Sequence, residues 1–154
     1  MTFVAKIEAR AYSRVTELPE RVESAVLNVF PEEFRKDVIV SFSKAEGHSG
    51  YAIQIIEASL KNRDGCESTL DRMFSSFDDR DRQRVRNSLP QRLNENCLFF
   101  LRIDKQLAFL DKLKLADGPD VISVRMDIKR QPKCKQEDAI ELLENRLKKA
   151  GGED

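Results

Sequence analysis

Apolar and polar residues alternate over the first stretch of the chain. Phe3, Ala5, Ile7, Ala9 and Ala11 stand against Val4, Lys6, Glu8, Arg10 and Tyr12. A period of two with one charged side predicts a strand buried on one face only. The period then changes. Thr16 to Pro19 reads as a helix start, with Pro19 in the first turn, and Val22, Ala25, Val26, Val29 and Phe30 recur at helical spacing until Pro31 ends the run. Val38, Val40 and Phe42 predict a second strand, and Tyr51–Leu60 a third, joined through a long loop, Lys44–Gly50, that holds Gly47 and His48. The facing of the third strand is open: Ile53 and Ile55 argue for one side, Ala52, Ile56, Ala58 and Leu60 for the other. Burial on both faces or a bulge would reconcile them.

After a turn at Asn62–Gly65, Leu70, Met73, Phe74 and Phe77 follow at i, i+3, i+4 and i+7, the stripe of an amphipathic helix. Asp78–Ser88 continues as helix or a helix pair with Val85 as its only apolar residue, and Pro90 closes it. Cys97, Phe99, Leu101 and Ile103 then alternate with Leu98, Phe100 and Arg102, which predicts the central strand. Asp104 is suited to cap a short helix beginning at Lys105. A helix start beside Arg102 and Lys105 is, on this reading, an anion site. Leu113 and Leu115 suggest a brief strand, and Ala116–Pro119 a turn. Ile122, Val124, Met126 and Ile128 give the last strand its buried face, and Ala139, Leu142, Leu143 and Leu147 stripe the last helix. The order is β-α-β-β-α-(α)-β-α-β-α. Strands with one polar face cannot be covered on both sides, so the expected fold is α+β: a single mixed sheet with helices mainly on one face.

Length and charge add limits. The 154 residues predict one domain over residues 1–150, with 151–154 frayed. The 27 basic and 27 acidic residues cancel, so any argument for a polyanionic partner must come from where the charges sit. Three cysteines, Cys66, Cys97 and Cys134, are widely separated and carry no zinc-ligand spacing. They read as free thiols of a reducing cytoplasm. Lys6, Glu8 and Arg10 interrupt any apolar signal core, and no apolar run reaches the length of a membrane span.

Charge is segregated locally. Arg80–Arg92 carries five arginines, Arg82 and Arg86 among them, against Asp81 alone. Arg125–Lys135 carries five cations, including Arg125, Lys129 and Arg130, against Asp127. The plain reading of each window is a solvated helix face or strand edge; the functional reading is a phosphate-binding surface. On the central strand Phe100 and Arg102 share a face, suited to stack a base and hold a phosphate if that face is open. Lys6, Arg10, Tyr12 and Arg125 would join them if the strands are in register.

Chemistry beyond binding finds little support. Adjacent Asp104 and Lys105 could be an acid/base pair, but neighbouring side chains seldom address one atom, and capping is the better role for Asp104. His48 is the only histidine and has no metal-ligand partners by spacing. There is no Gly-rich phosphate loop, nucleophile elbow or paired carboxylate set, so no enzyme class and no cofactor is indicated.

The run Leu101-Arg102-Ile103-Asp104-Lys105-Gln106 with Ala108, and Leu113–Asp120 leading into Val121-Ile122-Ser123-Val124, resembles an archaeal family described as RNA-binding or as a predicted exosome subunit. The Val4–Val15 strand with the helix start at Thr16–Val22, and the Gly47-His48 loop, resemble it too. The likeness runs from about Phe3 to Leu147. It implies a fold similar to the large-subunit ribosomal protein that binds 5S RNA, no cofactor, and no catalytic residues. With it, the expected function is non-catalytic RNA binding linked to RNA processing or the exosome, through Arg102, Lys105, Phe100 and the two basic windows. The alternative is an adapter that docks onto RNA-processing proteins without touching RNA.

Overall fold

The computed structural model describes residues 1–46 and 52–152. The His48 loop falls outside the described residues. The elements run β1 (Thr2–Ser13), α1 (Pro19–Leu27), a 3-10 turn (Glu32–Asp37), β2 (Ile39–Glu46), β3 (Ala52–Leu60), α2 (Arg63–Ser76), α3 (Asp79–Asn87), α4 (Leu89–Arg92), β4 (Leu98–Asp104), α5 (Lys105–Phe109), β5 (Val121–Arg130) and α6 (Gln136–Ala150). One sheet has the order β2-β3-β1-β5-β4. The α+β class and the single sheet are as the patterning predicts. The sheet is antiparallel at every pairing, where a mixed one was expected. β1 therefore sits at the centre, paired to β3 on one side and β5 on the other, and β4, expected to be the central strand, lies at the edge.

The buried side chains of the strands point one way. Ile7, Ala9 and Ala11 of β1, Ile56, Ala58 and Leu60 of β3, Phe99, Leu101 and Ile103 of β4, and Ile122, Val124, Met126 and Ile128 of β5 form the floor of the core. Helices α1, α2 and α6 pack on this face, with Val26, Leu70, Phe74 and Leu143 fully buried. Phe74 meets Phe77 and, edge to face, Phe99, with ring centroids 6.2 and 6.4 Å apart. Arg146 of α6 bonds Glu67 at 2.7 Å and Asp71 at 2.9 Å, fastening α6 to α2. The third strand's facing is settled: Ile56, Ala58 and Leu60 are buried, and Ile53 and Ile55 are half-buried on the opposite side.

Two local expectations change. The β1–β5 register slips between Val4 and Lys6, a bulge that reverses the alternation. Val4 is thus buried, and Phe3 is left half-buried under the guanidinium of Arg63, 4.1 Å from its ring centre. The Asn62–Gly65 turn is the start of α2, where the Asn62 side chain accepts from the Gly65 N–H. On edge strand β2 the helix layer runs out. Phe42 lies opposite Ile56, on the core side, yet remains 53% exposed.

Candidate nucleic-acid interface

No helix packs on the other face of the sheet among the described residues, and its side chains follow from the register. Arg125 of β5 stands between Glu8 of β1 and Phe100 of β4. One step further along, Ser123 of β5 stands between Arg10 of β1 and Arg102 of β4. Tyr12 follows Arg10 on the same face, opposite Ile55. The strand spacing of about 4.8 Å puts the backbones of Arg10 and Arg102 roughly 10 Å apart, with only a serine between them. These side chains line a shallow groove of about 590 Å³, bounded by Glu8, Glu57, Phe100 and Arg125. Through Arg10, Arg102 and Ser123 it continues into a second hollow of about 350 Å³ toward Tyr12 and Arg14.

The cations differ in what already holds them. Glu8 accepts from Arg125 at 2.5 Å and pairs with Lys6 at 2.8 Å. The hydrogen bond that Lys6 donates to Glu8, with the Glu8 charge, holds the Lys6 ammonium above its usual range. Arg10, Arg14 and Arg102 are exposed and have no acidic partner within 4 Å among the described residues. Arg10 lies over the Tyr12 ring, 5.6 Å from its centre. Phe100 is 41% and Tyr12 51% exposed, large apolar surfaces left among charges. Glu57 lies opposite Arg10 in the register, so the groove is mixed in charge at its β3 side and cationic toward β4.

Lys105 borders the second hollow together with Asp120, but its ammonium is already taken. Its side chain is 3% exposed, and Nζ donates to the Tyr12 carbonyl at 2.9 Å, to Glu17 at 2.9 Å and to Asp120 at 2.7 Å. A phosphate would have to displace two carboxylates and enter the interior. Burial pushes the Asp120 carboxyl up, but hydrogen bonds from Gln106 and Lys105, with the Lys105 charge, outweigh it and hold the group below the usual carboxylate range. Nor is the start of α5 an open anion site. The Leu107 N–H is bound by the Asp104 side chain at 2.9 Å, the capping role expected of it. The Lys105 N–H is bound by the Asp120 carbonyl at 3.2 Å.

Apart from Arg125, the two basic windows do not merge with Arg102. Arg82 lies in the helix layer, on the far side of the sheet. It donates to the carbonyls of Phe74 and Phe77 at the end of α2 and pairs with Asp79 at 2.5 Å. Arg84 is shared between Asp81 and Asp117, and Arg92 donates to the Ser88 hydroxyl. Arg86 is half-buried and lines a small hollow with Arg82 and Lys148. In the second window Arg130 pairs with Asp138 near the start of α6 at 2.9 Å. Lys129 is exposed at the far end of β5, six residues or about 20 Å from Ser123. Phe100, Arg102 and Arg125 are therefore the expected contacts that meet, and Arg10 and Tyr12 meet them as the register required. Arg14, which joins them, carries no signal of its own in the strand pattern. Extending the Arg10–Tyr12 alternation by one step reaches it, past the last residue of the strand.

A family model described as RNA binding matches residues 6–128. An RNA-binding protein of Pyrococcus abyssi is 32% identical over 131 residues, covering 84% of this chain and 85% of its own. Among solved structures, the crystal structure of a protein from Archaeglobus fulgidus superposes with a TM-score of 0.78 at 25% identity, over 93% of this chain and 99% of that one. A structure from Methanothermobacter thermautotrophicus gives 0.71 at 24% identity, over 94% and 98%, a likeness of fold.

Proposed function

The chain belongs to the family described as RNA binding, and on that premise we propose that it is a non-catalytic RNA-binding protein whose contact surface is the open face of the sheet. One observation carries the choice of face. Arg10 of β1 and Arg102 of β4 flank Ser123 of the intervening β5, with no acidic partner within 4 Å among the described residues. Two like charges held this near one another repel, and a phosphate between them relieves that repulsion. Arg14 extends the line at one end, and Arg125, already paired with Glu8, borders it at the other. Phosphate contacts position a strand without reading it, so weak sequence preference is expected.

The direct test is the double variant R10A/R102A, titrated with a labelled RNA oligonucleotide from low to moderate salt. Affinity should fall at low salt, and the slope of log affinity against log salt should flatten by about 0.7 to 0.9 for each phosphate contact removed. Undiminished binding with an unchanged slope would place the RNA elsewhere on the molecule.

The finer reading is a place in an RNA-processing assembly such as the exosome, in a reducing cytoplasm. A fold shared with the 5S-RNA-binding ribosomal protein would suit it. It has support of its own in the hollow of about 370 Å³ between α1 and α5, where exposed Leu18 and Phe109 stand beside Arg21. Such a mixed apolar and cationic patch suits a protein partner.

A further inference from the structure

Resting on the reading of the open face as the RNA surface, we infer that its ligand is single-stranded RNA, with unpaired bases stacked on Phe100 and Tyr12. The arginines alone would accept any polyanion. The rings narrow the class. Both stand with a large part of their surface in water, Phe100 beside Arg125 and Arg102, and Tyr12 beside Arg10 with the half-buried Ile55 opposite. Among the described residues neither ring is covered by a helix, and α1, α2 and α6 pack on the opposite face. In a duplex the base faces are stacked on one another and closed to side chains, whereas unpaired bases can be splayed onto aromatic rings or guanidinium planes. A double helix resting on this sheet would touch the arginines and leave both rings unused.

The spacing fits a short strand crossing the sheet. Phe100 and Tyr12 are two strands apart across the sheet and four residues apart along it, a diagonal of about 17 Å. That is about five phosphates at the stacked rise of about 3.4 Å, and fewer in an extended strand. Arg10 and Arg102 lie beside this diagonal, where the linking phosphates would pass. Arg10 already lies over Tyr12, so ring and guanidinium form one platform. The path runs obliquely from β4 to β1 and leads on toward Arg14.

The experiment compares a 12-nucleotide single strand of mixed sequence with a 12-base-pair RNA duplex, by fluorescence anisotropy at fixed low salt. The wild type should bind the single strand more tightly. F100A and Y12A should each lose about five- to 150-fold in affinity for the single strand, the usual range for one stacked base, and change little for the duplex. F100L keeps an apolar side chain at the site and should lose affinity as F100A does, while Y12F, which keeps the ring, should not. Equal affinity for both probes, or F100L binding like wild type, overturns the inference. If the ring variants bind normally while R10A/R102A does not, the groove stands and stacking falls. If R10A/R102A also binds normally, the open face itself is not the RNA surface.

Discussion

Arg82 on α3 and Arg102 on β4 carry the same guanidinium in opposite circumstances. Arg82 keeps only 16% of its side chain exposed and spends its donors on the two carbonyls at the end of α2 and on Asp79. Arg102 projects from the uncovered face of the sheet, with no acidic partner within 4 Å among the described residues. A helix end leaves its last carbonyls unbonded, and a nearby arginine satisfies them. A strand face uses its backbone donors and acceptors within the sheet and asks nothing of its side chains. The location of an arginine relative to unbonded backbone thus decides whether its charge is available to a ligand. Lys105 is the extreme of the first kind, enclosed by Tyr12, Glu17 and Asp120.

Removing the enclosed cation should have the largest effect. Lys105→Ala leaves Glu17 and Asp120 facing each other without their counter-charge and the Tyr12 carbonyl without its donor. A loss of about 2–3 kcal/mol is expected by urea denaturation, the scale for hydrogen bonds to charged groups. A melting temperature equal to that of Arg102→Ala would erase the distinction between the two sites. Next comes Arg82→Ala, which strips a donor from the Phe74 and Phe77 carbonyls and should cost about 1–2 kcal/mol. Arg102→Ala is the control and should stay within about 0.5 kcal/mol of wild type. If Arg102→Ala proves the more damaging of the pair, the helix-side arginine is not the structural one.

The smallest effect concerns pH. The Asp120 carboxyl is held below its ordinary range in the folded state, so it contributes stability above the unfolded value, about pH 4, and that contribution is lost as pH falls through the folded value. Asp120 is about a third exposed, which keeps the contribution modest. Asp120→Asn should lower the urea midpoint slightly at pH 7, and the gap from wild type should close on acidification toward pH 2. A gap that widens in acid would show that the carboxylate is not stabilised by Lys105 and Gln106.

Much of this architecture is legible from periodicity. The alternation around Phe99 to Ile103 and Ile122 to Ile128 marks the buried face, and by elimination it puts Phe100, Arg102 and Arg125 on the open one. The cap at Asp104 is a local matter, settled by the residue and its next three neighbours. What escapes is whatever depends on distant approach. Lys105 meets Glu17, 88 positions earlier in the chain, and no local pattern announces that pairing. The β1 bulge escapes for another reason: Phe3, Val4 and Ala5 are all apolar, so a shift of phase leaves the binary pattern unaltered. The densest arginine run misleads because proximity in sequence along a helix spreads side chains around its circumference, toward carbonyls and carboxylates as much as toward solvent.

The central place of β1 has a consequence for when the surface can exist. Arg10 is made early, but its neighbour Ser123 arrives with the last strand, and Arg102 reaches the row only through that strand. Until β5 slides between β1 and β4, the groove has two separate banks and no bed. A growing polypeptide therefore lacks the joined row of Arg10, Ser123 and Arg102 until more than a hundred residues have followed the starting strand.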